Sequence, residues 1–198
     1  MIAREGQVPV IASALTGIVV APFSGLPVAL VILMLFIVMV LIFRDPDREI
    51  PAVPAAVVSP ADGRITSVSE QYDPYLGRQC VLVSLQMNLH GVFTTRSPVE
   101  GKALEPANMP DGDSAPHGVW LQTDEADDVV LVMNRGRLHT SPHCYIRYGE
   151  RIGQGQRCGF VHLGARIDLY LPVTSRIDVS PGDHVRGGSD VIARLVHT

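Results

Sequence analysis

A chain of 198 residues has room for one compact domain and a small appendage. Its formal net charge of −4, with arginines scattered rather than striped, gives no support to a nucleic-acid role. Cys80, Cys144 and Cys158 lie far apart without a Cys-x-x-Cys pair, which argues for reduced thiols over a disulfide frame, and no Cys/His cluster has zinc-ligand spacing.

The first feature in chain order is apolar. Residues 26–43 carry no charge and are almost entirely Val, Ile, Leu, Met and Phe, close to the length that crosses a hydrocarbon core. Residues 8–23 form a weaker run, broken by Pro9, Ser13, Thr16, Gly17 and Pro22, and Phe23-Ser24-Gly25-Leu26-Pro27 between the runs reads as a turn. The pattern predicts an N-terminal transmembrane helical hairpin over residues 1–45, with a buried core helix as the alternative. Arg4 before the first run and Arg44 and Arg48 after the second would hold both ends in the cytoplasm, and with them the rest of the chain, at the cell inner membrane. Residues 46–56, with Pro46, Pro51 and Pro54, read as an extended linker.

Residues 57–198 read as β. Short apolar strands are expected over residues 57–59, 80–87, 119–123, 129–133 and 191–196, separated by Gly, Pro and Asp turns. Ile167, Leu169 and Leu171 alternate with Arg166, Asp168 and Tyr170, the period of a strand with one buried face, and Pro172 stops it. Ser59-Pro60-Ala61-Asp62-Gly63-Arg64 is echoed by Ser97-Pro98-Val99-Glu100-Gly101-Lys102. Pro181-Gly182-Asp183-His184 has the character of the hammerhead turn of lipoyl- and biotinyl-type barrels, and Tyr148-Gly149-Glu150-Arg151 shares it. These echoes predict a mainly β, duplicated barrel-sandwich domain.

Three motifs carry a resemblance. Gly164-Ala165-Arg166-Ile167-Asp168, followed by Leu171-Pro172, is similar to the self-cleavage region of the small, pyruvoyl-dependent phosphatidylserine decarboxylases, whose pattern is Gly-Ser, Arg-Ile/Val-Asp and then Leu-Pro. Pro60-Ala61-Asp62-Gly63 and Arg96-Ser97-Pro98-Val99-Glu100-Gly101 resemble two further motifs of that family, and Phe43-Arg44-Asp45-Pro46 the segment after its hydrophobic stretch. The resemblance implies the duplicated barrel fold, a role in making phosphatidylethanolamine, and a membrane phospholipid of the phosphatidylserine kind as partner. It also implies a cofactor made from the chain itself. The family's Ser attacks the preceding Gly carbonyl, and the resulting ester is resolved to a pyruvoyl group.

Two positions depart from that pattern. The Ser is Ala165, which has no hydroxyl with which to attack the carbonyl of Gly164. The family's His, three residues before the Arg, is Phe93, which has no proton to give. Asp62 stands where the family's Ser-activating Asp stands, and an Asx-turn role before Gly63 is the alternative. Arg96 and Arg166 are candidate contacts for lipid phosphate, while Arg147 and Arg151 fit a solvated face. His90, His139, His143 and His162 have no triad spacing, and Cys144 reads as a small buried hydrophobe.

The expectation is a phosphatidylserine decarboxylase-family protein that makes no pyruvoyl as written, binding lipid or regulating an active paralogue, alone or as a homo-oligomer, and holding no metal. Other readings stay open: a Ser→Ala laboratory trap of an active precursor, an enzyme working by another route, or a membrane-bound lipoyl-like adaptor with no activity.

Overall fold

The computed structural model describes residues 4–20, 25–88, 92–108, 117–136, 141–161 and 164–196. They fall into two compact units, Met1–Asp47 and Arg48–Thr198.

The first unit is a pair of helices, α1 (Arg4–Val20) and α2 (Leu26–Ile42), each of 17 residues. Pro27 sits in the first turn of α2, where its missing N–H costs nothing. In α1 the Ser13 hydroxyl donates to the Val10 carbonyl (2.8 Å) and the Thr16 hydroxyl to that of Ala12 (2.9 Å), so both polar side chains are satisfied within the helix. The expected transmembrane hairpin is corrected here. At 1.5 Å per residue each helix spans roughly 25 Å, short of a hydrocarbon core of about 30 Å. Among the described residues no helix is long and apolar enough to cross a membrane. The apolar run continues to Phe43, but the helix does not: Phe43, at φ −95° and ψ 14°, is already its C-cap. The expected turn at residues 23–27 lies partly outside the described residues.

The second unit is mainly β. Its strands are β1 (Ala56–Val58), β2 (Gly63–Asp73), β3 (Arg78–Met87), β4 (Thr94–Arg96), β5 (Gly101–Leu104), β6 (His117–Gln122), β7 (Asp128–Met133), β8 (His143–Cys144), β9 (Arg151–Ile152), β10 (Arg157–Phe160), β11 (Arg166–Pro172), β12 (Arg176–Ile177), β13 (His184–Val185) and β14 (Val191–Arg194). They build an eight-stranded antiparallel sheet, ordered β13-β2-β3-β11-β7-β6-β5-β9, and two three-stranded sheets, β1-β14-β12 and β4-β10-β8.

That order reads alike from both edges, and the hydrogen bonds repeat with it. The Ser59 hydroxyl donates to the Ala61 carbonyl (2.8 Å) and that of Ser97 to the Val99 carbonyl (2.7 Å). Gly188 N–H donates to Ser59 O (2.7 Å), and Gly155 N–H to Ser97 O (2.8 Å). The halves also exchange a reciprocal pair, Val58 N–H to Pro98 O (2.9 Å) and Arg96 N–H to Pro60 O (2.8 Å). One half is continuous from β4 to β10. The other is β1–β3 joined in space to β11–β14, so in sequence the divided half encloses the continuous one.

The main core lies on one face of the large sheet, where Ile65, Val83, Leu85, Leu121, Leu131, Ile167, Leu169 and Leu171 are all buried. The alternation in β11 is not one-sided, however: Asp168 and Tyr170 are buried too. A second apolar cluster of Tyr75, Cys80, Val130, Val132 and Tyr170 covers the opposite face, with the rings of Tyr75 and Tyr170 edge-on at 5.5 Å.

Asp73 closes this second cluster at a cost. It is fully buried. Its Oδ1 accepts the N–H groups of Tyr75 and Leu76, whereas Oδ2 makes no hydrogen bond and lies 3.8 Å from Arg78 Nε. Burial raises its carboxyl above the ordinary range. A group whose folded-state pKa is raised contributes stability below its unfolded pKa and loses it as pH rises through the folded value. Asp73→Asn keeps an oxygen for the two N–H groups and removes the buried charge. It should raise stability at neutral pH. Melting curves between about pH 4 and 7 should show a flatter pH dependence for the variant than for the parent.

Candidate functional site

Of the residues singled out by sequence, Gly164, Ala165, Arg166 and Asp62 gather where β11 begins and β3 ends. Gly164 adopts φ +66°, a conformation open to glycine, and so swings the chain into β11. Ala165 is fully buried, and its carbonyl accepts the Met87 N–H at 2.9 Å. Met87 pairs with Gly63 of β2, and the next N–H, of Asn88, donates to Asp62 O at 3.2 Å. The end of β3 thus ties Asp62 and Ala165 into one site.

Asp62 does not form an Asx turn with its own neighbours. Its Oδ1 accepts the Gly187 N–H (2.8 Å), while Oδ2 pairs with Arg48 at 2.6 Å. Both carboxylate oxygens are engaged before any hydroxyl at residue 165 could call on them. Phe93 is 3% exposed and packs edge-on against Phe160, ring centroids 6.3 Å apart. Its carbonyl accepts the Val161 N–H (2.9 Å), which fixes it beside the strand that leads into the Gly164 turn.

The two candidate arginines are both occupied by the fold. Arg96 is 6% exposed, with Nη1 donating to Gly155 O at 3.1 Å. Arg166 is largely exposed, and its guanidinium pairs with Asp168 at 2.9 Å. Cys144 is part-buried, and burial pushes its thiol up. His143 lies on β8 with its ring 5.5 Å from that of Tyr145. His90, His139 and His162 lie outside the described residues.

Three groups at this end of the sheet take roles that the sequence did not reveal. Gln86 Nε2 donates to Gly164 O at 2.5 Å and to Ala165 O at 3.3 Å. Buried Asp168 accepts from the Ser84 hydroxyl (2.6 Å) and from Asn134 Nδ2 (2.8 Å), a network that anchors the start of β11. His117, across β6 from Met133, is pushed below its ordinary pKa by burial and then by His143. Polar side chains on separate strands leave no local periodicity to read. Only their pairing brings them together.

The opposite half repeats the turn without the same contacts. Ala126 has φ +65°, and Thr123 N–H donates to Asp127 O at 2.9 Å, as Met87 does to Ala165 O. Beside that second turn lies a cavity of about 460 Å³, lined by Val99, Glu100, Thr123, Asp124 and Gln154 among others. Among the described residues no cluster of His, Cys, Asp and Glu could hold a metal ion.

The site is therefore a buried glycine-hinged peptide, with both carbonyls held by donors and a methyl where a nucleophile would stand. A pyruvoyl group is built from the oxygen-bearing side chain of a serine. Ala165, sealed in the sheet without that oxygen, does not fit its formation. A buried Gly-x turn leads into the central strand of a duplicated antiparallel sheet, with an Asp-Gly turn two strands away. The chain matches the phosphatidylserine decarboxylase family over residues 35–193 and belongs to that family of pyruvoyl-dependent lyases of phospholipid metabolism. It is 35% identical over 206 residues to a phosphatidylserine decarboxylase proenzyme of Burkholderia vietnamiensis, covering 98% of this chain and 96% of the relative. A proenzyme of the same description from Nitrosomonas eutropha is 36% identical over 207 residues, covering 98% and 95%. Among solved structures, glucose permease IIA from Mycoplasma capricolum is similar with a TM-score of 0.45 and 16% identity, covering 70% of this chain and 93% of that one.

Proposed function

We propose that this protein is a phosphatidylserine decarboxylase-family member that remains a single uncut chain and works by holding an aminophospholipid of the phosphatidylserine kind, as a lipid-binding regulator of an active relative. Ala165 carries this reading: the peptide that the family cleaves is present, buried and clamped, but the atom that attacks it is missing. Phe93 supports it, because a trap made by a single replacement would have left the neighbouring proton donor in place. With this goes a location at the inner membrane, the β unit on the cytoplasmic side. The exposed apolar side chains of α1 and α2, among them Val8, Ile11, Leu15, Leu30 and Met34, support contact with a lipid surface, and the free cysteines support a reducing compartment.

The test is the intact mass of the purified full chain together with the lipid that it retains. One species at 21.4 kDa is expected. Retention of phosphatidylserine from mixed vesicles, above that of phosphatidylcholine, is expected with it. Two fragments, the smaller reactive toward carbonyl reagents, would overturn the uncut reading. An intact chain that retains no lipid would favour an adaptor role instead.

A further inference from the structure

We infer that Gln86 is the group that polarises the Gly164 carbonyl, so that the attack site keeps its oxyanion-side donor although its nucleophile is gone. The inference rests on Gly164–Ala165 being the family's processing bond, and it assigns a residue that the sequence motifs do not contain.

The argument begins with backbone register. Gln86 is the last but one residue of β3 and lies opposite Arg166, the first of β11. Its side chain is half-buried and reaches forward along the strand, where Nε2 donates to Gly164 O at 2.5 Å with a longer contact to Ala165 O at 3.3 Å. The positive φ of Gly164 makes this reach available by presenting its carbonyl to β3.

The other half of the molecule supplies an internal control. Gln122 occupies the equivalent place, the last residue of β6, opposite Asp128, the first of β7. The turn there has the same left-handed residue, Ala126, and the same backbone bond, from Thr123 N–H to Asp127 O. Yet Gln122 Nε2 donates to Asp128 Oδ1 at 3.0 Å, to a side chain. With the residue type, strand position and turn shared, only Gln86 is aimed at a turn carbonyl. The difference follows from what stands opposite. Asp128 offers an acceptor. Arg166 offers none, and its own guanidinium is taken by Asp168.

The chemistry gives that bond a consequence. When a hydroxyl at residue 165 attacks the Gly164 carbonyl carbon, an O–C bond forms and the C–N bond breaks. The proton passes from the oxygen to the departing nitrogen. Between those events the Gly164 oxygen carries the negative charge. A preorganised donor on such an oxygen is worth about 10²–10³-fold in rate. Gln86 stabilises that charge and also makes the carbonyl carbon more electrophilic beforehand. Met87 N–H and Gln86 together hold the Ala165 carbonyl, which fixes the residue that would carry the attacking hydroxyl.

The experiment compares Ala165→Ser with Ala165→Ser/Gln86→Met and Ala165→Ser/Gln86→Glu in the full chain. Met matches the size of Gln without a donor, and Glu keeps the shape but sets an acceptor against the oxyanion. Mass spectrometry of the cleaved fragment should show both double variants slowed by about 10²-fold or more. A second readout needs no cleavage: in the parent chain with ¹³C-labelled glycine carbonyls, Gln86→Met should move the Gly164 carbonyl resonance toward the value of an unbonded amide. Double variants that cut as fast as Ala165→Ser, or a Gly164 resonance that does not move, overturn the inference. An Ala165→Ser chain that is folded and stays whole overturns it as well. The family reading is separate, since lipid retention tests it without cleavage.

Discussion

Ala165→Ser should convert an inert chain into one that cuts itself. The substitution adds one oxygen to a fully buried residue whose carbonyl is already fixed by Met87, so the turn should keep its geometry. The new hydroxyl is attached to the residue whose amide links it to Gly164, and so it is delivered to the carbonyl carbon without any cost in association. The reaction should nonetheless be slow. Asp62, the family's activating carboxylate, has Oδ1 on Gly187 N–H and Oδ2 on Arg48, so neither oxygen stands free to take the hydroxyl's proton. The absence of general-base help alone is worth roughly 10²–10⁴-fold. Cleavage should therefore be absent in the parent and measurable over long incubation in the variant, as a large N-terminal piece and a small C-terminal piece beginning at residue 165. Adding Phe93→His should raise the release of CO₂ from phosphatidylserine more than it raises the extent of cleavage. A single variant that turns lipid over as fast as the double would show that Phe93 does not stand at the donor position.

The second large effect is on stability. A Cβ added to Gly63 would collide with the backbone carbonyl of Gln86, lying 2.9 Å from its carbon, with Leu85 Cδ1 also at 2.9 Å. The obstacle is the neighbouring strand, and no side chain can swing aside to relieve it. Gly63→Ala must push β2 away from β3 at the point where β3 carries Gln86 and Met87. We expect a loss of about 3 kcal/mol, at the upper end for overpacking, and a fall in melting temperature of roughly 6–12 °C. Gly101→Ala should behave in the same way, because its Cβ meets the Gln122 carbonyl in the other half, with the carbon at 2.8 Å. Gly153→Ala is the control: its nearest neighbour is the side-chain oxygen of Gln156 at 3.5 Å, an ordinary contact, and its melting temperature should barely move. Equal melting temperatures for all three variants would mean that the strands separate more easily than this packing allows. Combined with Ala165→Ser, Gly63→Ala should also slow cleavage, since it displaces the strand that clamps the turn.

What the sequence made legible follows from how local each signal is. The apolar runs at residues 80–87 and 129–133 became β3 and β7, two central strands buried on both sides, because continuous Val and Leu has one favourable place in such a sheet. β2 was not foreseen. Its outward residues, Thr66, Ser67, Ser69 and Glu70, dilute the hydrophobic signal, and a register shift between Ile65 and Ser67 breaks the alternation. Asp168 and Tyr170 read as solvent-facing because their cover comes from Tyr75, in a turn far away in sequence. The uncharged run at residues 26–43 did reveal a helix, but composition fixed only its presence. Where its backbone stops, at Ile42, settles what it can span. The motifs located Gly164, Ala165 and Asp62, while Gln86, 78 residues from Gly164, became visible only through the pairing of β3 with β11.

The enclosure of one half by the other sets an order of events. β11 is wedged between β3 and β7, β13 lies against β2, and β14 against β1. β11, β13 and β14 are thus missing partners for strands made much earlier. A chain emerging from the ribosome can complete β4 to β10 on its own, but the large sheet stays open in the middle until the last segment arrives. The long loop closures this requires make it the slow step of folding. The Gly164 turn takes shape only when β11 docks, so any chemistry there must wait for a finished protein. After a cut at residue 165 the C-terminal segment would still be held by strands on both sides. The fold thus acts as its own clock: the geometry at Gly164 is complete only in a finished chain.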